Sequence, residues 1–183
     1  GCIGKPAPGF GIGVIDDSGE ETDGEGDIAV RRGAASMMLG YWNKPEATAE
    51  TLKDGWLHTG DLCTVDEDGF ITICDRMKDM IISGGENVYP AELENVLAGS
   101  PEVSEAAVIG VQSEKWGETP LAIVVPAPGA SPTPESLKAY CKEHLAGYKV
   151  PQLYELVEAL PRNASGKLLK PTLREQFPGP APF

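Results

Sequence analysis

The chain reads as an α+β protein in two parts: a small β-rich, barrel-like subdomain over residues 1–77, then a compact α+β domain over residues 78–183. Three observations carry that reading. Up to about residue 77, short strand-like runs alternate with turn residues, the pattern of a small barrel or sandwich piece. Beyond Lys78, strand and helix periodicities alternate over about 105 residues, which suits an independent domain. Between them, Asp75, Arg76, Lys78 and Asp79 crowd four charges into five positions just before the apolar run Met80-Ile81-Ile82, as at a hydrated joint.

In the first part, Phe10–Ile15 and Ile28–Arg32 have strand composition, separated by an acidic, glycine-bearing loop from Asp16 to Asp27. Pro45 to Leu52 starts with proline at a plausible first helical position and predicts a short helix. Asp61–Val65 and Phe70–Cys74 flank Asp66-Glu-Asp-Gly69, a hairpin turn whose glycine supplies a positive φ. In the second part, Pro90–Ala98 places Leu93, Val96 and Leu97 on one helical face, and Gly99 ends it. Val103–Val111, Leu121–Val125 and Leu153–Val157 read as strands. Pro134–Leu145 is an amphipathic helix with Leu137, Tyr140, Cys141 and Leu145 on one face, for which Ser131 and Thr133 offer caps. Pro171–Phe177 predicts a last helical turn or two, and the proline-rich end Pro178–Phe183 reads as frayed.

Composition excludes several functions. The net charge of −13 argues against nucleic acid or an anionic membrane as the partner of the whole surface. Residues 1–77 carry 6 Lys/Arg against 15 Asp/Glu, and residues 78–183 carry 9 against 13. From Leu145 to Arg174 the sign inverts: Lys149, Arg162, Lys167, Lys170 and Arg174 face only Glu155 and Glu158. Such an island is a candidate anion site, although a solvated face is the commoner explanation. No apolar run approaches the ~18 residues of a transmembrane segment. The opening Gly1-Cys-Ile-Gly-Lys-Pro6 has no initiator Met and no targeting pattern, and it reads like the interior of a longer protein. Four cysteines without a CxxC, and apart from the two histidines, predict no metal site and free thiols in a reducing, cytoplasmic setting.

Three motifs carry chemistry. Gly55-Trp-Leu-His-Thr-Gly-Asp61 ends in an aspartate poised at a strand start, able to accept both hydroxyls of a ribose; taken alone, a turn aspartate capping local amides explains it better. Pro161-Arg-Asn-Ala-Ser-Gly-Lys167 is not a phosphate-cradling P-loop, because Pro161 replaces the first glycine and Leu168 the metal-binding hydroxyl. It reads as a flexible lysine on a mobile loop, bringing one point charge to a phosphate or carboxylate. Ser83-Gly84-Gly85 is either backbone that a ligand approaches closely or a surface turn feeding a hairpin.

Taken in order, Gly40-Tyr-Trp-Asn-Lys-Pro-Glu-Ala-Thr48, Gly55–Asp61, Asp75–Glu94, Lys115-Trp-Gly-Glu118 and Pro161–Lys167 resemble the adenylate-forming superfamily, nearest to fatty acyl-CoA and aryl-CoA ligases. The five blocks span almost the whole chain. The resemblance implies that residues 78–183 are the mobile C-terminal domain of an AMP-forming acyl-CoA synthetase and residues 1–77 the distal part of its large domain. It implies that Asp61 binds the AMP ribose with Arg76 assisting, that Lys78 is the hinge, and that Lys167 is the catalytic lysine of acyl-AMP formation. Ser83, Gly84 and Gly85 would line the pantetheine channel in a second pose, with Trp116, Tyr148 and Lys149 contacting coenzyme A. For Trp116 a core or groove aromatic is the competing reading, and Lys170 reads as a solvated lysine at a helix start.

The implied cofactors are ATP with Mg2+ and coenzyme A, and the implied partner is a small-molecule carboxylic acid. The superfamily's glycine-rich phosphate loop and acyl pocket match nothing here, so the chain alone is expected to be inactive. An adenylation domain that loads a carrier protein, or a non-catalytic nucleotide- or CoA-binding module, are the alternative readings.

Overall fold

The computed structural model describes residues 1–34 and 37–179. The chain divides into two compact units, Gly1–Lys78 and Asp79–Phe183. Four residues of the proline-rich end, 180–183, lie outside the described residues.

The first unit is an antiparallel sheet of six strands: β1 (Cys2–Gly4), β2 (Ile12–Ile15), β3 (Glu25–Arg31), β4 (Leu52–Lys53), β5 (Trp56–Val65) and β6 (Ile71–Arg76). Its order is β1-β6-β5-β3-β2, with β4 added to β5 and the short helix α1 (Pro45–Thr51) just before β4. The barrel-like expectation is corrected here: the sheet is open. Its two end strands, β1 and β2, are three and four residues long and do not pair with each other. Closure needs a continuous ladder around the sheet, which strands this short do not supply. Period-two alternation divides the apolar side chains between the faces. Val14, Ile28, Cys63 and Ile71 form one cluster, and Ile15, Ala29 and Trp56 form the other.

The second unit begins with a hairpin, β7 (Ile81–Ser83) and β8 (Glu86–Val88), followed by α2 (Pro90–Ala98). Strands β9 (Val103–Ser113) and β10 (Gly117–Pro126) pair antiparallel along their length. Helix α3 (Pro134–His144) leads to β11 (Leu153–Leu156), which joins β10 in parallel, and α4 (Lys170–Gln176) closes the unit. Both faces of the central strands are covered, which is why Leu121-Ala-Ile-Val-Val125 is apolar without alternation. Ala122 and Val124 pack with Leu93 and Leu97 of α2 and Leu137 and Cys141 of α3. Leu121 and Ile123 pack with Leu160 and with Leu173 of α4.

Helix starts follow simple chemistry. Pro90, Pro134 and Pro171 occupy the first turns, where a missing N–H costs nothing. Thr133, rather than Ser131, caps α3: its hydroxyl accepts the Ser136 N–H at 3.2 Å, and the Ser136 hydroxyl accepts the Thr133 N–H at 3.1 Å. Among the described residues, no helix is long and apolar enough to cross a membrane.

Candidate functional site

Asp61 and Arg76 are cross-strand partners on β5 and β6, and Arg76 Nε lies 2.6 Å from Asp61 Oδ1. The sequence motifs named both residues, and the structure brings them together. What displays Asp61 is an interruption of the ladder on its other side. Asp27 of β3 pairs with Leu62 and Ala29 with His58, so one intervening residue of β3 faces three of β5. Bulges of this kind re-aim side chains and sharpen the local twist. Gly60 takes φ +72° within it, a left-handed conformation that glycine adopts without strain.

The backbone released by the bulge is satisfied by side chains. Gly60 N–H donates to Asp27 Oδ1 at 2.9 Å, and His58 Nδ1 lies 2.8 Å from Asp27 Oδ2. The Thr59 hydroxyl donates to the Ile28 carbonyl at 2.7 Å and accepts the Asp61 N–H at 3.1 Å. The sequence suggests Asp27 as the end of an acidic loop, whereas it lies inside β3 and is only 5% exposed. The signal that could have found it is the alternation Asp27, Ala29, Arg31 leading into one sheet face.

Lys78 is exposed in a single 3-10 turn, Met77–Asp79, and the division between the units falls directly after it. Asp79 is buried and ion-paired with Arg174 at 2.7 Å.

In the second unit the basic island resolves into pairs. Lys149 meets Glu92 at 2.7 Å, Arg162 meets Glu105 at 2.7 Å, Lys170 meets Glu94 at 2.8 Å, and Arg174 meets Asp79. Lys167 alone of the five makes no ion pair among the described residues, and it is exposed. Lys170 is therefore not the solvated lysine expected at a helix start, since its side chain is 14% exposed and faces a carboxylate.

The loop that carries Lys167 is not slack. Asn163 Oδ1 accepts the backbone N–H groups of Ser165 at 3.1 Å and Lys167 at 2.8 Å. Asn163 N–H donates to the Lys167 carbonyl at 2.9 Å, and Arg162 ties the Gly166 carbonyl at 2.8 Å. Asparagine acts here as a local backbone mimic, the usual reason for its place in turns. The backbone of the turn is thus tied at several points, and the lysine side chain extends from it exposed.

Ser83 and Glu86 are register partners, so Gly84-Gly85 is a two-residue hairpin turn with φ +62° and +87°, both positive as such turns demand. Gly84 N–H donates to the Trp116 carbonyl at 2.9 Å, and a Cβ on Gly84 would come within 2.8 Å of the Trp116 ring. Ser83, Gly84, Lys115, Trp116, Tyr148 and Gln152 line a cavity of about 420 Å³. Trp116 and Tyr148 keep nearly half their surface in solvent, and the Lys115 ammonium sits 4.5 Å from the Trp116 ring centre. Gly85 and Lys149 do not line this cavity. Lys149 turns to Glu92, whose hydrogen bonds hold the ammonium above its ordinary pKa against a lesser opposing effect of burial.

Chemically, the first unit offers a carboxylate beside a guanidinium. The second offers an unpaired lysine on a tied turn, and a groove walled by aromatics and glycine. Among the described residues, no group of three or more His, Cys, Asp or Glu is arranged to hold a metal ion.

Residues 92–167 match the family described as the AMP-binding enzyme C-terminal domain. The chain is 49% identical over 178 residues to the fatty acid–[acyl-carrier-protein] ligase ScoC of Streptomyces coeruleorubidus, a match covering 97% of this chain and 34% of that protein. It is 49% identical over 179 residues to a feruloyl-CoA synthase of an Amycolatopsis species, covering 97% and 36%. Among solved structures, the o-succinylbenzoate CoA synthetase MenE of Bacillus subtilis, in complex with the acyl-adenylate intermediate OSB-AMP, superposes with a TM-score of 0.86 at 41% identity, over 95% of this chain and 35% of that one. The chain spans about a third of the length of the relatives it matches.

Proposed function

From a chain that belongs to the adenylate-forming enzymes, with residues 92–167 in their C-terminal domain family, we propose the C-terminal portion of an ATP-dependent carboxylic acid–CoA ligase. The observation that carries this reading is the isolation of Lys167: four neighbouring cations are ion-paired, and this one is presented to solvent on a hydrogen-bonded turn.

In the first half-reaction the acid's carboxylate oxygen attacks the α-phosphorus of ATP, forming acyl-AMP and releasing pyrophosphate. Asp61 accepts the ribose hydroxyls while Arg76 orients that carboxylate and lies beside the nucleotide. Lys167 bridges the substrate carboxylate and the α-phosphate, where negative charge builds in the transition state. In the second half-reaction the thiol of coenzyme A attacks the acyl carbonyl and AMP leaves. Ser83, Gly84 and Gly85 then flank the pantetheine arm, with Trp116 and Tyr148 as aromatic surfaces for the rest of the cofactor. Lys149 contributes through its charge beside Tyr148, already shared with Glu92.

Rotation about Lys78, with residues 78–183 as the mobile domain, exchanges the two arrangements. Mg2+ that accompanies ATP would be held chiefly by the phosphates and the remainder of the enzyme. Four free cysteines favour a reducing compartment such as the cytoplasm.

A second reading concerns only the acceptor. A relative at 49% identity is named for an acyl carrier protein, and both acceptors present a pantetheine thiol. The experiment is ATP–pyrophosphate exchange by the enzyme containing this chain across fatty and aryl acids, followed by thioester assays. Exchange with at least one acid and thioester formation on coenzyme A is expected. Exchange with transfer only to a carrier protein selects the second reading, and no exchange with any acid overturns both.

A further inference from the structure

Asp27 belongs to none of the motifs that point to ligand chemistry, yet it is the acceptor around which the Asp61 bulge is built. Its two carboxylate oxygens take the Gly60 N–H and the His58 ring, the residues one and three places before Asp61. One side of it is apolar, and the other lines a cavity shared with His58, Thr59 and Gly60. Ile15 is its register partner in β2, and Ile15, Ala29 and Trp56 cluster together as buried apolar side chains. At 5% exposure Asp27 offers little surface to a ligand although it lines a cavity, and its link to Asp61 runs through the bulge.

We propose that Asp27 is the positioning residue of the nucleotide subsite: it holds the Thr59-Gly60 bulge open so that Asp61 faces the ribose hydroxyls. The proposal rests on Asp61 being the ribose acceptor. Without the carboxylate, Gly60 N–H loses its acceptor, and nothing pins the bulge in its present place. Asp61 moves with it, because its own N–H is tied to Thr59. A carboxylate displaced by even an ångström loses aim at paired hydroxyls, since hydrogen bonds weaken steeply with angle.

The test compares kcat/KM for ATP and for 3′-deoxy-ATP in the ligase that carries this chain. Loss of general stability lowers both values together, whereas loss of Asp61 aim lowers the ratio. Asp27→Ala and Asp61→Ala should each shrink the preference for ATP by about tenfold or more, the scale of a lost charge-assisted hydrogen bond. Asp27→Asn, which keeps an oxygen for Gly60 N–H, should restore most of the preference. If Asp27→Ala does not fold, Asp27→Leu fills the buried slot without the acceptors and serves the same comparison. An unchanged preference in Asp27→Ala or Asp27→Leu, beside a collapsed one in Asp61→Ala, overturns the positioning role alone. An unchanged preference in Asp61→Ala overturns the ribose reading itself.

Discussion

Arg76 meets Asp61 across the β5–β6 ladder with Nε 2.6 Å from Oδ1, while half of the arginine side chain remains in solvent. A pair so exposed contributes little to folding, about 0–1 kcal/mol. Under the proposed reading its value lies in aiming a carboxylate. Arg76→Ala should therefore leave the melting temperature nearly unchanged while raising KM for ATP on the order of tenfold, the worth of a charge-assisted hydrogen bond. Thermal melting and steady-state kinetics of one preparation check both halves. A large stability loss with unaltered KM would show the pair to be structural.

Lys167 and Lys78 should separate the half-reactions. Lys167→Ala should slow acyl-AMP formation by roughly 10²–10³, the usual consequence of removing one transition-state donor. Thioester formation from supplied acyl-AMP should persist. Lys78→Pro stiffens the backbone at the division between the units and should spare adenylation while blocking the thioester step. Single-turnover assays of each step decide the matter, and impairment of the same step by both substitutions contradicts the two-pose reading.

The glycine turn makes a prediction that needs no substrate. Gly84 and Gly85 both have positive φ, but only a Cβ on Gly84 would strike Trp116. Each alanine substitution should cost about 1–2 kcal/mol for left-handed backbone. Gly84→Ala should cost more than Gly85→Ala by the clash. In a Trp116→Ala background that excess should disappear, which denaturant unfolding of the six variants and parents would reveal.

Glu94 holds two donors at once: Val108 N–H at 2.8 Å and the Lys170 ammonium at 2.8 Å. Glu94→Ala strands both in a poorly hydrated place and should destabilise by roughly 2–4 kcal/mol. Lys170→Met leaves Glu94 bonded to Val108 and should cost clearly less. Equal losses in chemical denaturation would mean that the ion pair, not the backbone bond, dominates.

Cys63 supplies a pH test. Burial, then the neighbouring Cys74 and the negative charges of Asp27, Asp61 and Glu25, pushes its thiol from 9.0 up to about 11. Between those values the folded state keeps a proton that the unfolded state has released. Stability therefore falls as pH rises through the window, by roughly 2–3 kcal/mol for two units. Unfolding curves from pH 8.5 to 11 should fall more steeply for the wild type than for Cys63→Ala, and parallel curves would remove Cys63 as the cause.

Local chemistry made much of the fold legible. Pro90–Ala98 has the bounds that its proline, its apolar spacing and Gly99 imply, and Thr133 caps α3 as its hydroxyl suggests. Strand extents were less legible, because β5 starts at Trp56 rather than Asp61 only through pairing with β3 and β4. Sheet closure is likewise a property of all the strands, and no single segment encodes it. The same divide runs through the site. Asp61, Arg76 and Lys167 stand in recognisable local patterns, whereas Asp27 gains its place from a bulge formed far along the chain. Lys170 changes from a surface lysine to a paired one because Glu94 arrives from α2.

The tied turn beneath Lys167 acts as a stiff pointer. Its backbone closes on itself through Asn163, so it cannot stretch to correct a misplaced approach. Under the proposed role, an error in delivery would have to be absorbed by the lysine side chain alone. In that role such a part favours sharp timing over tolerance: the charge would be either seated or withdrawn, and partial arrival would do little chemistry.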